Sequence, residues 1–242
     1  MIITPRFLPQ LTLVVDYYQI TIKDVIASVS AQTAENQCVS SENVNAAICA
    51  TLTRTGAAGV GTIPPYGISD FIQGSVNYAK LFTRGIDYQI LYRTDFDVNI
   101  SLSGNYLSDF NQHFDISNPS FFDRSEGYVG FPRTRFALTT DWNVAKNFSL
   151  RWKADYQASQ YIFNATTLAG NDDIYSSAEF YESGSFLQHD FSARYAPIEK
   201  LVLRAGVVNA FDKKPATWLG NTSADNFDLF GRRYFLGLNY DF

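Results

Sequence analysis

Methionine occurs once in this chain of 242 residues, and cysteine and histidine only twice each. The two histidines, His113 and His189, lie far apart with no second ligand motif beside either, so no metal centre or acid–base pair is assigned to them. Long apolar runs are missing as well. No stretch of about 18 apolar residues exists, which excludes a membrane-crossing helix but not a membrane-crossing strand, since barrels alternate apolar with polar residues. Positive charge is in deficit: 19 Lys and Arg against 24 Asp and Glu leave a net charge of −5, which argues against nucleic acid as a partner. The opening "MIITPRFLPQLTLVVDYY" carries no basic region, apolar core or cleavage site of a secretory signal. The expectation is that such a signal was removed or that the chain is a piece of a longer one. No Ser/His/Asp arrangement is interpretable, and no enzyme is expected. The stretch "GAAGVGTIPPYG" (Gly56–Gly67) lacks the strand-turn-helix context of a phosphate cradle and reads as a flexible loop.

Aromatic residues are plentiful, at 16% with 20 Phe and 15 Tyr, and they alternate with polar ones. In "FSLRWKADYQA" one side carries Phe148, Leu150, Trp152, Ala154 and Tyr156, the other Ser149, Arg151, Lys153, Asp155 and Gln157. "FLQHDFSARY" sets Leu187, His189, Phe191, Ala193 and Tyr195 against Gln188, Asp190, Ser192 and Arg194. "VNISLSGNY", "IDYQILYR" and "RFALTTDW" follow the same period of two, the signature of strands with unlike faces. Tyr234, Leu236, Leu238, Tyr240 and Phe242 share a face in the last strand. A change of phase near Tyr18 suggests a bulge in the first.

About eight strands are expected, near 11–26, 70–93, 97–111, 131–143, 147–163, 184–196, 199–211 and 230–242. Connections near 94–96, 144–146 and 197–198 are short; those near 27–69, 112–130, 164–183 and 212–229 are long and rich in Gly, Asn, Ser and Asp. Strict alternation of tight turns with long loops is the habit of an antiparallel up-and-down transmembrane β-barrel. The charges on one face fit that fold too, because a dry core would not hold them unpaired while a wet lumen would. The rival is a soluble β-sandwich with one solvated face. The inward rows show no obvious pairing of their charges.

Three stretches carry a family resemblance. "VVNAFDKKPATW" (Val207–Trp218) with "NFDLFGRRYFLGLNYDF" (Asn226–Phe242) resembles the C-terminal end of TonB-dependent outer-membrane receptors, with its N-x-F-D turn and G-R-x-Y/F strand. "VNYAKLFTRGIDYQILYR" (Val76–Arg93) is similar to the family's R-G-[IV]-[DE] strand, and "LPQLTLVVDYYQITIKDVI" (Leu8–Ile26) to a third signature. The resemblance implies that residues 1–242 are about eight C-terminal strands of a larger barrel of about 22, without its plug domain and TonB-binding segment. It implies an outer-membrane location and cargo of the siderophore, cobalamin or oligosaccharide class. It also implies partners: the lipid bilayer, the TonB complex through the N-terminal part, and a barrel-assembly machinery reading Tyr234, Leu236, Leu238, Tyr240 and Phe242. The alternative is a self-contained eight-stranded barrel with a structural or adhesin role. No cofactor is expected.

Cys38 and Cys49, eleven apart in the longest loop, are expected to pair in an oxidising space. Phe121, Phe122, Arg124, Tyr175 and Trp218 are candidates for cargo contact on the loops, since aromatics and Arg commonly supply contact energy. "NDD" at Asn171–Asp173 reads as a turn rather than a calcium loop.

Overall fold

The computed structural model describes residues 1–28, 34–35, 38, 49–72, 75–113, 122–162, 182–215, 217 and 227–242. Its strands are β1 (Ile2–Ile3), β2 (Leu11–Ser28), β3 (Leu52–Arg54), β4 (Ile68–Phe71), β5 (Ser75–Arg93), β6 (Val98–His113), β7 (Phe122–Arg124), β8 (Thr134–Ala145), β9 (Phe148–Gln157), β10 (Phe186–Ile198), β11 (Leu201–Val208) and β12 (Arg233–Tyr240). One ten-stranded sheet runs in the order β1-β2-β5-β6-β8-β9-β10-β11-β12, with β7 beside β6; β3 and β4 form a second sheet of two strands. Each registered pair is antiparallel, and the eight long strands fall where alternation placed them. β1, β3, β4 and β7 were not anticipated.

By its contacts the chain divides into two units. One holds Met1–Tyr18, Arg84–Ser108 and Glu126–Phe242; the other holds Gln19–Thr83 and Asp109–Ser125. In the second unit Cys38 and Cys49 are bonded, with S–S 2.06 Å, and pack with Leu52 and Phe71 around the buried Ala34. The stretch 56–67 is more ordered than a flexible loop. Val60 and Ile63 exchange backbone hydrogen bonds, and the buried Thr55 donates its hydroxyl to the Pro64 carbonyl at 2.7 Å.

Turns explain the register of the first unit. Residues 94–97, 146–147 and 199–200 close three hairpins. In the first, Thr94 Oγ1 accepts from the amides of Phe96 and Val98, and Asp97 takes a positive φ of 56°, which Asp tolerates better than most residues. Irregularities at Asn143/Ala145 and Tyr195/Ile198 lie beside the other two. β2 leaves the extended conformation at Asp24, where φ is 55°.

Because opposite residues of an antiparallel pair share a face, the ladders assign the side chains of β6 and of β8 to β12. Ile100, Thr140, Trp152, Phe191, Val207 and Tyr234 form one row across six strands. Val98, Trp142, Leu150, Ala193, Ala205 and Leu236 form the next. The intervening positions read Asn99, Asp141, Arg151, Ser192, Gly206 and Phe235. One face is apolar and the other polar.

The apolar face is not a core. Among the described residues only Ala34, Ala154, Phe186 and Phe227 are buried hydrophobics, while Leu236 is 83% and Leu238 69% exposed, and Phe191, Trp142 and Tyr195 are exposed with them. A sandwich would cover these side chains with a second sheet, so the soluble rival fails. Leaving one such side chain in water forgoes about 1.5–3 kcal/mol; a whole face of them requires a hydrocarbon solvent. No described helix is long and apolar enough to cross a membrane, which says nothing of strands.

Candidate functional site: the polar wall and its loop-side rim

The polar face is a wall of charges, several of them matched within or across strands. Arg151 on β9 faces Asp141 on β8 and donates to both its carboxylate oxygens, Nε at 2.6 Å and a terminal nitrogen at 3.2 Å. Lys153 and Asp155 pair at 2.5 Å along β9. Asp190 accepts from Gln188 at 3.0 Å and from the Asn209 amide at 2.8 Å. The inward charges are therefore better paired than sequence alone suggested, across strands for Arg151 and Asp141 and two residues apart on one strand for Lys153 and Asp155.

Near β2 and β5 the wall is set by a hydroxyl and two amide-range contacts. Asn105 on β6 donates to Asp87 at 2.5 Å and to the Tyr18 hydroxyl at 3.3 Å. Tyr18 reaches that point by lying over Gly85, where an added Cβ would stand 2.5 Å from its hydroxyl oxygen. The R-G-I-D stretch is thus a seat for a tyrosine.

The loop end of the sheet is an interlocked rim. Gln160 is 1% exposed and accepts from the Gly130 amide through its side-chain oxygen at 3.0 Å. Arg133 meets the buried Glu126 at 3.3 Å and donates to the Ser108 carbonyl at 3.0 Å. Tyr161 exchanges backbone hydrogen bonds with Gly127 and Val129, with its ring 6.0 Å from that of Tyr128. Strand β9 stops at Gln157, short of the expected 163, because residues 158–161 turn aside into this rim.

The other end of the rim is the N-x-F-D turn. Asn209 is fully buried with φ 52°; its side chain donates to the Lys213 carbonyl at 2.9 Å and accepts the Lys213 amide at 2.7 Å. Asp212 accepts the Arg232 amide at 3.0 Å and pairs with Lys214 at 2.9 Å. Gly231, with φ 67°, admits that carboxylate where a Cβ would stand 2.6 Å from it. The turn thereby fastens the exit of β11 to the entry of β12. Hydrogen bonds from Lys214 and the Arg232 amide hold the Asp212 carboxyl below its usual range. A hydrogen bond from Arg233 at 2.6 Å, outweighing burial, does the same for Asp228.

His189 is not the polar surface residue expected of a lone histidine. It stands in the apolar row opposite Ala154, accepts the Trp152 indole N–H on Nδ1 at 3.1 Å, and meets the Phe211 ring edge-on at 5.2 Å. That indole hydrogen bond satisfies one ring nitrogen within the apolar row.

Of the cargo candidates only Phe122 and Arg124 lie among the described residues. Phe121, Tyr175 and Trp218 lie outside the described residues, as does Asn171–Asp173. Phe122 pairs with His113 in the backbone ladder, and Arg124, opposite Asn111, is exposed. No cluster able to hold a metal ion occurs among the described residues.

Comparison with known proteins decides the family. The model for the TonB dependent receptor-like β-barrel matches residues 6–210. The chain belongs to this family. TonB-dependent receptors are outer-membrane transporters rather than enzymes, and the chain is an outer-membrane strand array accordingly. Solved structures agree on the fold. A point variant of the ferric enterobactin receptor of Pseudomonas aeruginosa superposes with a TM-score of 0.58 at 16% identity, covering 96% of this chain and 29% of that one. The siderophore receptor PiuA of Acinetobacter baumannii gives 0.51 at 15%, covering 96% and 26%. The ferripyoverdine receptor of Pseudomonas aeruginosa gives 0.55 at 15%, covering 97% and 25%. The chain therefore spans less than a third of the length of these receptors. No curated protein matches it. Among the described residues β1 pairs with β2 and β12 with β11, and the ladder does not join β12 to β1 or β2. The eight-stranded self-contained barrel is not formed.

Proposed function

We propose that residues 1–242 form the C-terminal strands of a larger receptor barrel that imports a ferric siderophore across the outer membrane. The observation that carries this reading is the division of faces: an exposed apolar face for lipid, a paired polar wall for a wet lumen, and a built rim at the loop end. The free edge of β12 supports it, because an unpaired edge in a membrane must be completed by further strands. Siderophores are preferred over cobalamin and oligosaccharides because the solved relatives are receptors for ferric enterobactin and ferripyoverdine. In this reading the rim and loops take the cargo, the TonB complex acts through another part of the receptor, and this chain performs no chemistry.

Disrupting the coding sequence is expected to abolish accumulation of radioactive iron supplied as a ferric siderophore, while cobalamin-dependent growth stays normal. Undiminished accumulation from a panel of siderophores, with loss of growth on cobalamin or an oligosaccharide, overturns the cargo assignment.

The row of β12, Tyr234, Leu236, Leu238 and Tyr240, with the fully exposed Phe242 beyond it, is assigned to the barrel-assembly machinery in the same reading. Phe242 packs only edge-on against Tyr240, at 5.3 Å between ring centres, so Phe242→Ala removes little packing. It is expected to lower the receptor's outer-membrane abundance nonetheless; normal abundance counts against the assembly role.

A further inference from the structure

Two arginines on the polar wall break its pattern of pairing. Arg194 on β10 and Arg204 on β11 stand directly opposite each other, both exposed, and neither has an ion-pair or hydrogen-bond partner among the described residues. Like charges so placed, with Cβ atoms about 5 Å apart, repel and weaken a sheet. The carboxylates of the wall are engaged elsewhere: Asp141 is taken through both oxygens by Arg151, and Asp190, four residues along β10, accepts through Oδ1 from Gln188 and the Asn209 amide. The two arginines border a recess of about 350 Å³ whose other walls include Ser149, Ser192, Phe235 and the Asp141–Arg151 pair. With three arginines against one aspartate its lining is net positive. The serine hydroxyls are free to donate, having no hydrogen-bond partner among the described residues.

We infer that this recess, whose Arg194 and Arg204 lie within four residues of the strand ends flanking the β10–β11 turn and so away from the rim, is an oxyanion-binding station. Two guanidinium forks side by side suit a carboxylate or phosphate group, which offers each a pair of oxygens. The group comes either from a carboxylate side chain of the protein segment filling the lumen or from a free small anion. The inference rests on the polar wall bordering water and not on the identity of the cargo, so undiminished siderophore import after disruption, with anion binding intact, speaks against the proposed function alone.

The test uses the intact receptor extracted in detergent, with Arg194→Gln and Arg204→Gln, and reads the temperature at which its heat-modifiable migration is lost. Citrate and inorganic phosphate serve as probes, with chloride at matched ionic strength as reference. If a side-chain carboxylate is seated, each variant melts below the parent in anion-free buffer. If the station takes free anions, the variants melt no lower than the parent without ligand. Citrate or phosphate then raises the melting temperature of the parent, with affinity about 10-fold weaker or worse in each variant. Variants that melt at or above the parent, combined with no response of the parent to either probe beyond that to chloride, overturn the inference.

Discussion

Leu138→Arg is expected to leave the receptor largely unassembled in the outer membrane, whereas Ala137→Arg next to it is expected to assemble at close to normal levels. Leu138 lies in the apolar row with Leu102, Ala154 and His189, between rows that carry Trp152 and Phe191 on one side and Phe136 and Tyr156 on the other. A guanidinium in that position enters hydrocarbon, at a cost of about 2–4 kcal/mol near the midplane of the bilayer. That range corresponds to a shift of roughly 30- to 1,000-fold in the folding equilibrium. Ala137 faces the opposite way, across from Asp155 on β9 and Ser103 on β6, so an arginine there meets water and a carboxylate. Helix-propensity or volume arguments do not distinguish the two neighbours; only the assignment of faces does. Heat-modifiable migration of outer-membrane extracts, with surface abundance measured in parallel, reads the contrast directly. Equal loss from both substitutions, or tolerance of both, would falsify the assignment of lipid to one face and water to the other.

The contrast is available because period-two alternation is the part of this fold most legible in the sequence. A strand exposed to two solvents must change character at every residue, so β8, β9 and β10 could be phased before any pairing was known. Much of the pairing followed from the turns. The connection at 146–147 alone, however, would set Asp141 opposite Trp152; the irregularity at Asn143/Ala145 moves it opposite Arg151, so that ion pair was not legible from the turn. His189 shows a second limit. Its place among Leu187 and Phe191 was visible from parity, yet a histidine suggested water. What satisfies it is Trp152 on the adjacent strand, a contact that a single strand's pattern does not contain. β3, β4 and β7, at three or four residues, are shorter than any window in which a period can be recognised. The ends of β9 and β11 were misplaced for a different reason: hydrogen bonds from Gln160 and Asn209 compete with the ladder there, and those partners are far away in sequence or lie in a turn. The candidate site divides along the same line. The polar wall was legible as a face, while the rim, and the unpaired arginines within the wall, became visible only with register.

Asn209→Ala is expected to be the most damaging single substitution at the loop end of β11, destabilising it by roughly 3–8 kcal/mol. Two contributions add. The change removes the partners of the Lys213 amide and carbonyl, each costing about 1–3 kcal/mol when left unmet in a part-buried place. It also places a Cβ-bearing residue without a compensating side-chain bond at φ 52°, which costs about 1–2 kcal/mol. Asn209→Gly separates the two, since glycine adopts that conformation freely but loses the same bonds, so it should lie about 1 kcal/mol closer to the parent. The bond from the Asn209 amide to Asp190 survives in both variants and cancels from the comparison. Once the turn loosens, Asp212 no longer holds the Arg232 amide and Phe211 leaves His189 and Phe191, so the entry to β12 frays together with the exit from β11. Urea unfolding in detergent measures the size of the effect, and proteolysis of the 212–229 loop on intact cells locates it. Identical unfolding for the alanine and glycine variants would remove the backbone contribution from this account. Parent-like unfolding of both would show that the buried asparagine does not fasten the two strands, and the N-x-F-D turn would then need another reason to be there.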